Sequence, residues 1–155
     1  MMNYNLTLLE EKKMKEITWT SDLSVGIELI DGQHKKLIKH LNDLSQSLES
    51  GEGPAKITTT LNFLIDYTDF HFTAEEQHMA ANGYPELESH KKMHEGFKTT
   101  LNNMEEDLVE EGATQLLADS IDTLLVKWLF EHISTIDVKF GKFLKEKGIE
   151  IPQED

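Results

Sequence analysis

The sequence predicts an all-α fold: an up-down-up-down four-helix bundle, with an N-terminal loop packed over one end and a short C-terminal helical tail. Three observations predict it. Four segments repeat apolar residues every three or four positions, the period of a helix with one buried face. The breaks between them, Ser50-Gly-Glu-Gly-Pro54, Asn82-Gly-Tyr-Pro85 and Glu111-Gly-Ala113, are short, as connections between antiparallel helices are. No stretch alternates apolar and polar residues as a half-buried strand would.

Each helix has its own start signal and buried stripe. The first spans about 32–49, with Asp31 as N-cap and Leu37, Ile38, Leu41, Leu44 and Leu48 facing inward. The second spans about 54–81. Pro54 suits its first position, and Ile57, Leu61, Leu64 and Ile65 mark the stripe. The third begins near Pro85, with Glu86 and Glu88 at the dipole's positive end and Met93, Phe97, Leu101, Met104 and Leu108 inward. The fourth runs from about Thr114 to at least Ile133, on Leu117, Ile121, Leu124, Leu125, Trp128 and Leu129. Before the first helix, 17–30 is apolar without helical period and reads as the packed loop. After Asp137 a further helix reaches about Lys147. The expected divisions are an extension over 1–16, of which 1–13 could precede a start at Met14, a bundle over 17–147 and a tail over 148–155.

Composition excludes several functions. The 155 residues are enough for one domain with a real core. A formal charge of −14 argues against nucleic acid or an anionic membrane as partner. With no cysteine there is no disulfide, thiol catalysis or cysteine-held metal. No run is apolar enough for a secretory signal or a transmembrane helix, so a cytoplasmic protein is expected. Any metal must sit on His, Asp or Glu.

The seven histidines carry the functional signal. At about 100° per residue, His34 falls on the first stripe. His71, with Glu75 one turn on, falls on the second; His90 and His94 on the third; His132 on the fourth. A lone inward histidine is usually a hydrogen-bonded core residue. Five from four helices are hard to satisfy pairwise, and a transition metal satisfies all of them together. The spacings His71-x-x-x-Glu75 and His90-x-x-x-His94 stack their members on one face. His40, about 240° from His34, reads as surface. His78 makes Glu-x-x-His with Glu75, a di-iron pattern, but no second inward copy exists, so it reads as surface or as support for a ligand.

With Trp19, Val25-Gly-Ile27, Ile30-Asp-x-Gln-His34, His71-Phe-x-x-Glu75-Glu-x-x-Met79, Gly83-Tyr-Pro85, His90-x-x-x-His94 and Trp128-Leu-x-x-His132-Ile-x-x-x-Asp137, the chain resembles the hemerythrin family, in particular its bacterial single-domain members. The resemblance implies two iron ions with an oxo or hydroxo bridge. His90, His94 and His132 would hold one iron, His34 and His71 the other, and Glu75 and Asp137 would bridge them. O2 would bind reversibly at the open position of the two-His iron, held there as hydroperoxide, for storage, delivery or sensing. Asp137 lies about 140° round a straight helix from His132, so a local irregularity between them is expected.

Candidate lining residues for an O2 pocket are Trp19, Phe70, Phe72, Trp128, Phe130 and Ile133. No residue is assigned a catalytic role. The alternative is an enzyme on the same centre: an oxidase, a peroxidase, or a nitric oxide or peroxide scavenger. An iron store or a zinc structural site fits less well. Besides O2, an unknown reductase or delivery protein would be the partner. The oligomeric state is not legible.

Overall fold

The computed structural model describes residues 16–152. The expected extension falls almost wholly on 1–15, outside the described residues, as do the last three residues of the expected tail. Among the described residues there is no strand. Helix α1 is Glu28–Glu49, α2 is Pro54–Ala81 and α3 is Leu87–Glu111. A C-terminal helical region follows as α4 (Gln115–Ser120), a π-helical turn (Ile121–Val126), α5 (Lys127–Glu131), a second π-helical turn (His132–Asp137) and α6 (Val138–Glu146).

Local chemistry explains most boundaries. Pro54 opens α2 where its missing N–H costs nothing. Gly112 ends α3 at φ 77, a backbone angle that side-chain-bearing residues avoid. The Thr114 hydroxyl caps α4 by accepting from the Leu117 N–H at 3.1 Å.

Asp31 does something else than expected. Helix α1 starts at Glu28, with Ile27 at the cap position. The Asp31 carboxylate reaches back out of the helix, accepting from the Val25 N–H at 2.8 Å and from the Ser24 hydroxyl. An acid in the first turn can serve the incoming chain as well as the helix end.

Two further expectations change. Met93 is 37% exposed and Leu124 49% exposed. On α3 the buried stripe is His90, His94, Phe97, Leu101, Met104 and Leu108. Leu124 lies inside a π turn, where extra residues per turn rotate side chains off the straight-helix stripe.

Apolar burial falls into two clusters. The first includes Leu37, Leu41, Leu64, Phe97, Leu101, Leu125 and Leu129. The second includes Val25, Ile30, Met79, Tyr84, Phe140 and Leu144. Each fully buried side chain of this size contributes about 1.5–3 kcal/mol. The inward histidines separate the two along α1 and α2. On α1, Ile30 precedes His34 and Leu37 follows it. On α2, Leu64 precedes His71 and Met79 follows Glu75. The segment before α1 is anchored by Asn42, which receives the Ile17 N–H and donates to the Ile17 carbonyl at 3.1 and 2.9 Å. It contains one 3₁₀ turn, Ser21–Leu23. Gly141 on α6 approaches Val25 so closely that a Cβ there would lie 1.9 Å from the Val25 carbonyl oxygen. Among the described residues no helix is long and apolar enough to cross a membrane.

Candidate metal centre

The five inward histidines, Glu75 and Asp137 are all buried and meet at one place. Glu75 gathers four imidazoles. Its Oε1 lies 2.8 Å from His90 Nε2 and 3.3 Å from His94 Nε2, while its Oε2 lies 3.4 Å from His71 Nε2 and 3.7 Å from His34 Nε2. Asp137 repeats the division. Its Oδ1 lies 3.0 Å from His90 Nε2 and 3.1 Å from His132 Nε2, and its Oδ2 lies 3.0 Å from His34 Nε2. One oxygen of each carboxylate therefore faces a three-His group and the other a two-His group. Within each group, with both carboxylates, the potential ligand atoms all lie within 4.8 Å of one another.

The π turn makes this possible. Between His132 and Asp137 the backbone takes a wider turn, so residues five apart share a face. The irregularity expected from the 140° mismatch is this turn.

The donors fit a bound cation better than each other. Both nitrogens of His34, His94 Nε2, Glu75 Oε2 and Asp137 Oδ1 are buried without a hydrogen-bond partner. Nε2 atoms of His90 and His132 face each other at 3.2 Å. Buried polar atoms are rarely left so. A set of imidazole nitrogens and carboxylate oxygens suits a first-row transition metal.

Two residues that sequence reasoning gave no role orient the rings. The Gln33 side-chain oxygen lies 2.8 Å from His71 Nδ1, and Glu76 Oε2 lies 2.7 Å from His94 Nδ1. Each oxygen only accepts, so each Nδ1 carries the proton and each Nε2 keeps its lone pair for the centre. Asking what satisfies the second nitrogen of each histidine would have pointed to them.

Charge in the cluster is mutually enforced. Burial works against a charged His34 ring, yet the facing Asp137 and Glu75 carboxylates outweigh it and lift His34 to about 9. His90 is lifted to about 9 against the same burial by the same two acids. Burial dominates at His71 and pushes it down. Glu75 would be raised by burial, but the surrounding imidazoles hold it well below the usual carboxylate range. Asp137 is held low as well, against burial and Glu75, by His132 and His34.

Of the expected lining residues, Phe72 stacks on His94 with centroids 3.7 Å apart, and Trp128 stacks on His132 at 4.3 Å. Ile133 is fully buried. Trp19 is partly buried against the first cluster, with Lys35 Nζ 4.3 Å from its ring centroid. Phe70 and Phe130 do not line the centre: they are 50% and 48% exposed. They precede His71 by one residue and His132 by two, about 100° and 200° round the helix, which turns them outward. Outside the cluster, His40 is partly buried, with its ring centroid 5.5 Å from that of Tyr67.

Residues 25–144 match the family model described as the hemerythrin HHE cation binding domain. The chain belongs to the hemerythrin family. A bacteriohemerythrin from Pseudomonas aeruginosa is 35% identical over 127 residues, 82% of this chain and 80% of that one. A myohemerythrin from Theromyzon tessulatum is 33% identical over 122 residues, covering 79% and 88%. A crystal structure of wild-type hemerythrin superposes with a TM-score of 0.73 at 27% identity, over 81% of this chain and 95% of that one. The matched span, 25–144, contains all seven residues of the cluster.

Proposed function

We propose that this chain binds O2 reversibly at a non-haem di-iron centre, for storage, delivery or sensing, and does not turn it over. One observation carries this: the two oxygens of Glu75, and likewise those of Asp137, are divided between a three-His group and a two-His group. Such a division suits two metals bridged by both carboxylates. His90, His94 and His132 would hold one iron, and His34 and His71 the other. Beside an oxo or hydroxo bridge, the two-His iron would keep an open position. When bound, the iron pair supplies two electrons and that position to O2.

The chain's own residues do the rest. Gln33 and Glu76 fix the protons of His71 and His94 on the outer nitrogens. Phe72 and Trp128 cover the imidazoles of His94 and His132 and help exclude water, which slows loss of electrons from the centre. The His-rich donor set favours holding O2 over activating it, and no further inward acid or Tyr is assigned as a proton donor.

The same reading takes the helices as an up-down-up-down bundle over 17–147, with the N-terminal loop across one end. The two clusters support it by exchanging sides of the histidines from helix to helix. Residues 1–16 and 148–155 would be an extension and a tail, the setting cytoplasmic, and a separate reductase or delivery protein the partner. The test is anaerobic reduction, admission of O2 and repeated visible spectra. A reversible colour change with two irons per chain is expected. Steady O2 consumption with a reductant would instead favour an oxidase or peroxidase.

A further inference from the structure

The three long helices and the C-terminal helical region each place a buried residue three positions from an inward histidine: Leu37 after His34, Thr68 before His71, Phe97 after His94 and Leu129 before His132. Three residues are about 4.5 Å along a helix. In a bundle whose helices alternate in direction, all four steps lead the same way. That way is opposite to Glu75 and Asp137, which lie beyond His71 and His132. Leu37, Phe97 and Leu129 belong to one apolar cluster. Thr68 is the polar member of this layer.

Its hydroxyl stands out. Thr68 is fully buried, and Oγ1 has no hydrogen-bond partner. Thr59 and Thr60 on the same helix donate to the carbonyls of Ala55 and Lys56, each at 2.9 Å. Thr68 makes no such bond to Leu64. A buried hydroxyl left unpaired costs stability, and a native structure that keeps one calls for a reason. Helical side chains lean toward the N-terminus, so the His71 ring lies over the turn that carries Thr68. The donor is therefore on the two-His side of the centre.

We infer that Thr68 is a ligand-contacting residue, whose hydroxyl hydrogen-bonds a small ligand with an electron-rich end atom, such as O2 or azide, taken up on the His34 and His71 side. This rests on the di-iron reading. Thr68 would be the polar group that distinguishes such ligands in an otherwise apolar layer.

Thr68→Val keeps the shape and removes the hydroxyl; Thr68→Ser keeps the hydroxyl. Two measurements are made on full-length chains: the melting midpoint of the metal-free protein, and the azide Kd of the iron-loaded oxidised protein by visible titration. The valine variant should melt a few degrees higher without metal, because an unpaired group is gone. It should bind azide about tenfold more weakly. The serine variant should bind within about threefold of the parent, as expected when the donor is kept. A valine variant that binds azide within about twofold of the parent, or that melts lower without metal, overturns the role of Thr68. If the parent chain takes up no iron, the di-iron reading fails and this inference with it. Should the valine variant not fold, Thr68→Ala takes its place in the titration.

Discussion

His132 and Asp137 are five residues apart in sequence, and the π-helical turn that joins them brings Asp137 Oδ1 to 3.1 Å from His132 Nε2. On a straight α-helix their side chains would diverge by about 140°. The turn thus recruits a carboxylate that helical periodicity places elsewhere. Asp137→Asn keeps the shape and removes the charge. Iron affinity, measured by competition with a chelator, should fall at least as far as the roughly 10- to 100-fold typical of losing a supporting partner. Unchanged affinity would remove Asp137 from the proposed ligand set.

Gln33 and Glu76 act one step further out. Gln33→Ala and Glu76→Ala should each weaken iron retention by about 10- to 100-fold, with helical content preserved. His40→Ala, on a partly buried ring outside the cluster, should leave both retention and the visible spectrum unchanged.

The metal-free cluster sets a pH dependence. His34 and His90 are lifted from 6.5 to about 9. Their stabilisation is complete below 6.5 and is lost as pH rises through 9. Glu75 and Asp137 are depressed, so theirs is present above their ordinary values of 4.5 and 3.8 and is lost as pH falls through the lower folded values. His71 is depressed by burial, so its share is lost as pH falls below 6.5. The metal-free melting midpoint should peak near 6.5 and decline toward 9. Iron bound as proposed would displace these protons, so the iron-loaded midpoint should be flatter over that interval. Equal slopes for the two forms would count against the site.

Gly141→Ala tests the junction between α6 and the segment before α1. A Cβ there meets the Val25 backbone, which cannot rotate away as a side chain can. The expected cost is about 1–3 kcal/mol, read from urea unfolding of the metal-free protein. A cost near zero would mean the two elements do not pack as described.

Much of this molecule was legible because its signals are local. Pro54 and the glycine-marked breaks punctuate the helices, and inward histidines violate an otherwise apolar stripe. What was missed depends on geometry the sequence does not print. The segment 121–126 looks like ordinary helix, so its π turn, and the exposure of Leu124, could not be foreseen. Asp31 has cap chemistry but spends it on Val25 and Ser24. Phe70 and Phe130 lie near His71 and His132 in sequence yet face outward, while Phe72, on the other side of His71, stacks on His94. Gln33 and Glu76 are common polar residues whose roles emerge only when each imidazole must satisfy two nitrogens.

The central claim is most directly tested by loading the purified chain with ferrous iron without air, counting metal, and following the visible spectrum through cycles of O2 admission and removal. Two irons per chain and a colour change that reverses with each cycle are predicted. Failure to retain iron after anaerobic loading, or irreversible oxidation on first contact with O2, would contradict it.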